Sequence, residues 1–179
     1  KIYVLGGWGG TYLKSCVVYD PLANKWSAIA DLLGVRAYMG AAALNGKIYV
    51  LGGQNLGSDE FLDFLASCAV YDPDDDEWSA IKDLPDTGRA GMGAVAHDNK
   101  ICVLGGRVND TYFKSCLVYD PLAKAWTTEI ADLPGARYNM GAAVLDGKIY
   151  VLGGHDGTSP LKSCFVYAPN YPDEGWTTI

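Results

Sequence analysis

Four Gly-Gly pairs, at 6–7, 52–53, 105–106 and 153–154, set the period of this chain, with spacings of 46, 53 and 48 residues. Each pair closes an apolar run: KIYVLGG, KIYVLGG, KICVLGG and KIYVLGG. A second block comes after each one: KSCVVYDPLANKW, ASCAVYDPDDDEW, KSCLVYDPLAKAW and KSCFVYAPNYPDEGW. A third block, RAYMGAAALNG, RAGMGAVAHDN and RYNMGAAVLDG, leads into the second, third and fourth pairs. A period of about 50 residues means one supersecondary unit that buries its apolar face only by stacking on its neighbours. Solenoids and propellers are the candidates.

The unit reads as strands. Residues 40–44 and 48–51 are near-continuous apolar runs divided by Asn45-Gly46, a dipeptide suited to a type I′ hairpin because both residues accept φ > 0. Asp98-Asn99 and Asp146-Gly147 fill the same slot in the next two units. Strands apolar on both faces are buried on both faces, as the inner strands of a blade must be. A third strand, such as Ser15 to Tyr19, runs into Asp20-Pro21, which suits a type I turn. A fourth begins at each recurring tryptophan, Trp26, Trp78, Trp126 and Trp176.

The Gly-Gly pair, the Tyr-Asp-Pro, the later Trp and the Arg-x-x-x-Gly opening, in this order, resemble the kelch repeat across the whole chain. The resemblance implies an all-β fold, a kelch β-propeller with four four-stranded antiparallel blades, the first lacking a strand. The repeats fall at about 1–33, 34–86, 87–134 and 135–179. Kelch propellers more often have six or seven blades, and a closed ring of four would leave an unpaired edge, so a fragment of a larger ring is expected. The Gly-His and Trp-Asp marks of a WD-repeat propeller are missing. Blocks such as GARYNMGAAVLDGKIYVLGG are most similar to the BTB–kelch branch, whose propellers recruit substrates to cullin-RING ubiquitin ligases. The resemblance implies a protein-interaction module in the cytoplasm, the substrate-recognition part of such an adaptor.

Comparing the repeats with one another separates scaffold from specificity. Tyr19, Tyr71, Tyr119 and Tyr167 recur with their tryptophans and read as blade packing. Met39, Met92 and Met140 read as core filler. Cys16, Cys68, Cys116 and Cys164 share one slot, too far apart in sequence for the short CxxC pairs of zinc sites. With Cys102, which replaces a recurring tyrosine, they read as buried free thiols, which favours a reducing compartment.

Strand alternation places the arginines before each inner strand on one rim with the residues after each glycine pair. Arg36, Arg89 and Arg137 therefore share that rim with Trp8, Gln54, Arg107 and His155, and with Tyr38, Tyr138 and Asn139 beside the arginines. Variable tips on a repeated scaffold are where binding specificity usually sits. Two readings of the arginines stand. They line a channel mouth and grip an acidic segment of a protein or peptide partner, as matching arginines do in kelch adaptors, or they tie adjacent blades through backbone carbonyls. The loop 54–66, QNLGSDEFLDFLA, carries Phe61 and Phe64 where polar residues are expected. It forms either an apolar lip for a partner or packing against the neighbouring blade.

The net charge of −7 argues against a phosphate-backbone binder, and no run of about 18 apolar residues exists to span a membrane. Much of the acid is local, in Asp74-Asp75-Asp76-Glu77, which reads as a solvated loop. The N-terminal Lys1-Ile2-Tyr3 shows no targeting segment. The two histidines, His97 and His155, fall at opposite ends of the blades and cannot share a metal, and the glycine pairs are not phosphate loops because no Lys-Ser/Thr and no helix comes after them. No catalytic residue, metal or cofactor is expected. The enzymatic alternative is a secreted or periplasmic carbohydrate-acting propeller resembling bacterial sialic-acid mutarotases. Asn109-Asp110-Thr111 forms a glycosylation sequon, weak support for secretion.

Overall fold

A computed structural model describes residues 1–57, 61–168 and 175–179. The first repeat forms a sheet of β1 (Ile2–Trp8), β2 (Tyr12–Asp20) and β3 (Lys25–Ile29). The second forms β4 (Gly40–Leu44), β5 (Lys47–Leu51), β8 (Cys68–Asp72) and β9 (Glu77–Ile81), with β6 (Gln54–Leu56) and β7 (Leu62–Phe64) as a separate ribbon. The third has β10 (Gly93–His97), β11 (Lys100–Leu104), β14 (Cys116–Asp120) and β15 (Ala125–Thr127), with the ribbon β12 (Arg107–Val108) and β13 (Thr111–Tyr112). The fourth has β16 (Gly141–Leu145), β17 (Lys148–Leu152), β18 (Cys164–Tyr167) and β19 (Trp176–Thr178). All pairings are antiparallel, so the expected all-β architecture of one three-stranded and three four-stranded blades is what the chain adopts.

The turn chemistry explains the register. Asn45 and Gly46 take φ of 50° and 77°, Asp98 and Asn99 take 48° and 58°, and Asp146 and Gly147 take 50° and 69°. These are the left-handed pairs a type I′ turn requires. At the outer turns, the Asp20 carboxylate accepts from Leu22 N (2.9 Å) and Ala23 N (3.2 Å), and Asp120 repeats the pattern. The segment after Ala168, where a matching outer turn is expected, lies outside the described residues.

Blades stack through inner strands brought close by glycine. A Cβ on Gly40 would sit 2.9 Å from the Ala94 Cβ, and one on Gly93 would sit 2.9 Å from the Ala142 Cβ. Farther out, each Tyr–Trp pair packs ring on ring, with centroids 5.1–5.3 Å apart. The indole N–H then reaches back to the preceding blade: Trp78 to Ala30 O (2.9 Å), Trp126 to Lys82 O (3.0 Å) and Trp176 to Ala131 O (2.8 Å). The acidic run is more than a solvated loop. Asp76 Oδ1 accepts from Tyr71 OH (2.7 Å) and from Ala30 N of the first blade (2.8 Å), bonds that hold its carboxyl below the usual carboxylate range.

The cysteines are free, but not all five are buried. Cys164 is half-buried, whereas Cys16, Cys68 and Cys116 each pack against strands of the following blade. Burial pushes the Cys68 thiol up to about 11, and those of Cys102 and Cys116 up to about 12. At pH 8 these three remain thiols, which are poor nucleophiles. A disulfide reagent at that pH is expected to label Cys164 first and the other four only as the protein unfolds. Rapid labelling of two or more thiols in the native state would contradict this burial.

Candidate functional site

The rim where the inner strands begin carries the variable residues, and its geometry starts at the glycine pairs. The first glycine of each pair is left-handed: φ is 56° at Gly52 and 60° at Gly105. A Cβ at these positions would lie 2.6 Å from Arg89 O and 2.5 Å from Arg137 O, so only glycine fits. In the first blade this kink is a bulge between Leu5 and Gly7, beyond which β1 and β2 go on pairing to Trp8 and Tyr12. The second and third blades make the same extension as the ribbons β6–β7 and β12–β13, so the segments expected as loops are short hairpins. The first residues of the two ribbons, and His155 in the fourth blade, pair back onto the segment after each arginine: Gln54 with Ala37, Arg107 with Ala90, and His155 with Tyr138.

The arginines themselves lie inside the wall. Arg36, Arg89 and Arg137 are 4%, 0% and 2% exposed. Arg36 Nη1 donates to Gly52 O (3.1 Å) and Ser67 O (2.9 Å), and Nη2 to Ser67 Oγ (3.1 Å). Arg137 repeats this with Gly153 O (2.8 Å), Ser163 O and Ser163 Oγ (both 3.1 Å). Arg89 bonds Gly105 O (3.0 Å), Ser115 Oγ (3.2 Å) and the Asp86 carboxylate. Meanwhile the backbone of each belongs to the preceding blade: Arg36 O accepts from Gly7 N, Arg89 O from Gly53 N, and Arg137 O from Gly106 N. Each arginine is thus a blade-to-blade tie, with both Nη atoms committed inside the wall. Desolvation lowers the pKa of all three. Their acceptors are the recurring Ser67, Ser115 and Ser163, small residues that the repeat pattern alone does not single out.

What the rim presents instead is a cavity of about 240 Å³ lined by Tyr38, Gln54, Ala90, Gly91, Arg107, Tyr138 and Asn139. Tyr38, Gly91 and Asn139 hold equivalent places in three repeats, all left-handed with φ of 54°, 65° and 52°. They are linked across blades: Gly91 N donates to Tyr38 O and Asn139 N to Gly91 O, both at 2.7 Å. A left-handed tyrosine costs about 1–2 kcal/mol, and Tyr38 bears this strain while 52% exposed at the mouth. Gln54 is buried; its Nε2 donates to Tyr12 OH (2.9 Å), and its Oε1 has no hydrogen-bond partner. Arg107 stands between the Phe64 and Tyr138 rings, 5.5 and 5.3 Å from their centroids, and donates to Asn109 O (3.2 Å). Tyr138 also stacks on Tyr112 (5.4 Å) and tilts against His155 (5.5 Å).

Five of the twelve expected contact residues therefore line one cavity, and Phe64 and His155 buttress it. Trp8 and Phe61 stand apart. Trp8 is 58% exposed and packs on Tyr12 beside Leu56, and Phe61 is 74% exposed at the end of the second ribbon. So Phe64 packs toward the next blade while Phe61 stays in solvent. The sequon Asn109-Asp110-Thr111 occupies an exposed ribbon tip. His97, at the far end of β10, is separated from His155 by the length of the blade. Among the described residues no group of three His, Cys, Asp or Glu side chains gathers to hold a metal ion, and no helix is long and apolar enough to cross a membrane.

This architecture of stacked four-stranded blades defines the class, a kelch-repeat β-propeller. The KLHDC2/KLHL20/DRC7 Kelch-repeats domain matches residues 40–179 and the Kelch motif matches residues 1–33, so the chain belongs to the kelch-repeat family. It is 41% identical over 85 residues to the F-box/kelch-repeat protein At1g22040 of Arabidopsis thaliana, covering 47% of this chain and 18% of that protein. To Kelch-like protein 38 of Rattus norvegicus it is 37% identical over 87 residues, 49% of this chain and 14% of that protein. The chain thus spans less than a fifth of the length of these two relatives. The solved structure titled "Structure of YjhT" superposes with a TM-score of 0.83 at 18% identity, over 98% of this chain and 64% of that one.

Proposed function

We propose that this chain is a partner-recognition propeller that captures an acidic segment of another protein at the mouth formed by its second, third and fourth blades. The observation that carries the reading is the pairing of the half-exposed Arg107 guanidinium with the buried, unpartnered Gln54 Oε1 in one cavity. A cation beside an acceptor suits a carboxylate that arrives with an N–H on its own backbone. Beside the cavity, Trp8, Leu56, Phe61 and Leu62 are all exposed, an apolar lip of the kind that marks protein-contact surfaces. The relatives named as kelch-like and F-box/kelch-repeat proteins support the finer proposal of a ubiquitin-ligase substrate adaptor, and the free thiols support a place for it in the reducing cytoplasm. Residues 1–33, 34–86, 87–134 and 135–179 are proposed as its repeat units.

A sugar acid offers a carboxylate and hydroxyl donors to the same two groups, and so is the second reading. An array of acidic peptides, probed with the wild-type protein and Arg107→Glu, separates them. Loss of one charge-assisted hydrogen bond of about 2 kcal/mol predicts a Kd about thirtyfold weaker for the variant. Equal capture by both proteins, or saturable binding of N-acetylneuraminic acid without any peptide capture, would remove the acidic-segment reading.

A further inference from the structure

Three departures from the repeat, all in the third blade, meet in one place at the opposite end from the mouth. The first is a missing ring. Tyr3 and Tyr49 point their rings at Tyr71 and Tyr119 of the following blade, with centroids 6.1 and 6.4 Å apart. The third blade carries Cys102 in that slot, opposite Tyr167, and a pocket of about 270 Å³ lies there. Apolar cavities of roughly 150 Å³ already hold a benzene ring. The corresponding groove between the second and third blades is wider, about 680 Å³, but Tyr49 is part of its wall, so a ring already fills the slot.

The second departure is an inserted residue. Trp78 is followed by Ile81 three positions on, whereas Trp126 is followed by Ile130 four positions on. The extra residue ends β15 at Thr127 and brings Glu129 over the pocket, where its Oε1 meets Lys100 Nζ at 2.7 Å. The third is His97, which stands where the second and fourth blades have Leu44 and Leu145. Its Nε2 lies 3.0 Å from Gly147 O of the fourth blade, and its Nδ1 lies 3.4 Å from the Asp98 carboxylate. An accidental void between blades would keep the aliphatic lining of the core. This one has an apolar floor of Cys102, Val118 and Ile130, each at most 8% exposed, beneath a polar rim.

We propose that this pocket binds a hydroxyphenyl group, supplied by a small phenol or by a tyrosine side chain. The ring takes the place of the missing tyrosine against Tyr167. The hydroxyl reaches Lys100, which stands two residues before Cys102 as Lys47 does before Tyr49. Burial keeps the Cys102 thiol protonated, so the floor stays uncharged and suits an apolar ring. The site is independent of the mouth, and its failure would leave the acidic-segment reading unaffected.

Titration with p-cresol, followed by methyl chemical shifts, tests the proposal. The expected result is saturable binding with shifts centred on the Val118 and Ile130 methyls. Toluene should bind at least threefold more weakly. Cys102→Tyr should weaken p-cresol at least tenfold and melt no lower than wild type, because its new ring packs as Tyr3 and Tyr49 do. If that variant does not fold, Cys102→Met fills part of the slot and should weaken binding at least threefold. N-acetyltyrosinamide binding as tightly as p-cresol would assign the site to a tyrosine side chain, and weaker binding would assign it to a free phenol. An absence of saturable shifts at those methyls, or undiminished binding once the slot is filled, overturns the pocket. Toluene matching p-cresol overturns the role of the hydroxyl.

Discussion

Arg89→Ala is expected to lower the unfolding free energy by about 3–5 kcal/mol, from three lost charge-assisted hydrogen bonds and the void left behind. The guanidinium has no solvent exposure and sits 4.2 Å from the Phe113 ring centroid, so nothing refills its space. Gly105 O and Ser115 Oγ would lose their donor inside the wall. Arg89→Lys should recover less than half of the loss, because one ammonium cannot reproduce the planar fork that meets the carbonyl, the hydroxyl and Asp86 together. Urea unfolding of the three proteins measures this. A variant as stable as wild type would mean that the arginine is not a tie, and would make it a contact residue again.

A contrast within one protein gives the second large effect. Trp78→Ala is expected to cost about 3–5 kcal/mol, as for other buried large-to-small changes, and Trp26→Ala about 1 kcal/mol or less. Both tryptophans pack on the tyrosine of their own blade, at 5.2 and 5.1 Å. Trp78 is 5% exposed and donates to Ala30 O of the preceding blade, whereas Trp26 is 51% exposed. The difference therefore measures the joint between blades rather than the Tyr–Trp pair. Equal losses at the two sites would place the stability in the blade itself.

The repeat makes the architecture readable because its parts act locally. A left-handed dipeptide sets each inner hairpin, an aspartate caps the outer turns of the first three blades, and the strands between them are apolar on both faces, so register comes from neighbours in sequence. The arginines are legible only as a pair of alternatives. Recurrence in three repeats is compatible with a tie and with a grip, and the choice depends on where Ser67, Ser115 and Ser163 stand, just ahead of strands and 26 or 31 residues away. The mouth is legible as a set of variable positions but not as a cavity. Nothing in RAGMGAVAHDN marks Gly91 as the middle link between Tyr38 and Asn139, because that link is a backbone bond between different blades. Ribbons β6–β7 and β12–β13 are hidden for a similar reason, since a glycine kink can end a strand or re-aim it, and both outcomes look like punctuation in one dimension.

The run of backbone bonds from Tyr38 through Gly91 to Asn139 has a consequence for the speed and entropy of recognition. Side chains at the mouth hang from main chain already locked by its neighbours, so an arriving partner finds the surface in its bound shape and has only its own segment to order. Ordering a rotamer-rich side chain costs about 0.5–1.5 kcal/mol on association, and Arg107 is already held between the Phe64 and Tyr138 rings with a bond to Asn109 O. On the proposed recognition role, specificity resides in three or four exchangeable side chains on a rigid collar. New partners can be accommodated by altering those few positions while the ties beneath them stay unchanged.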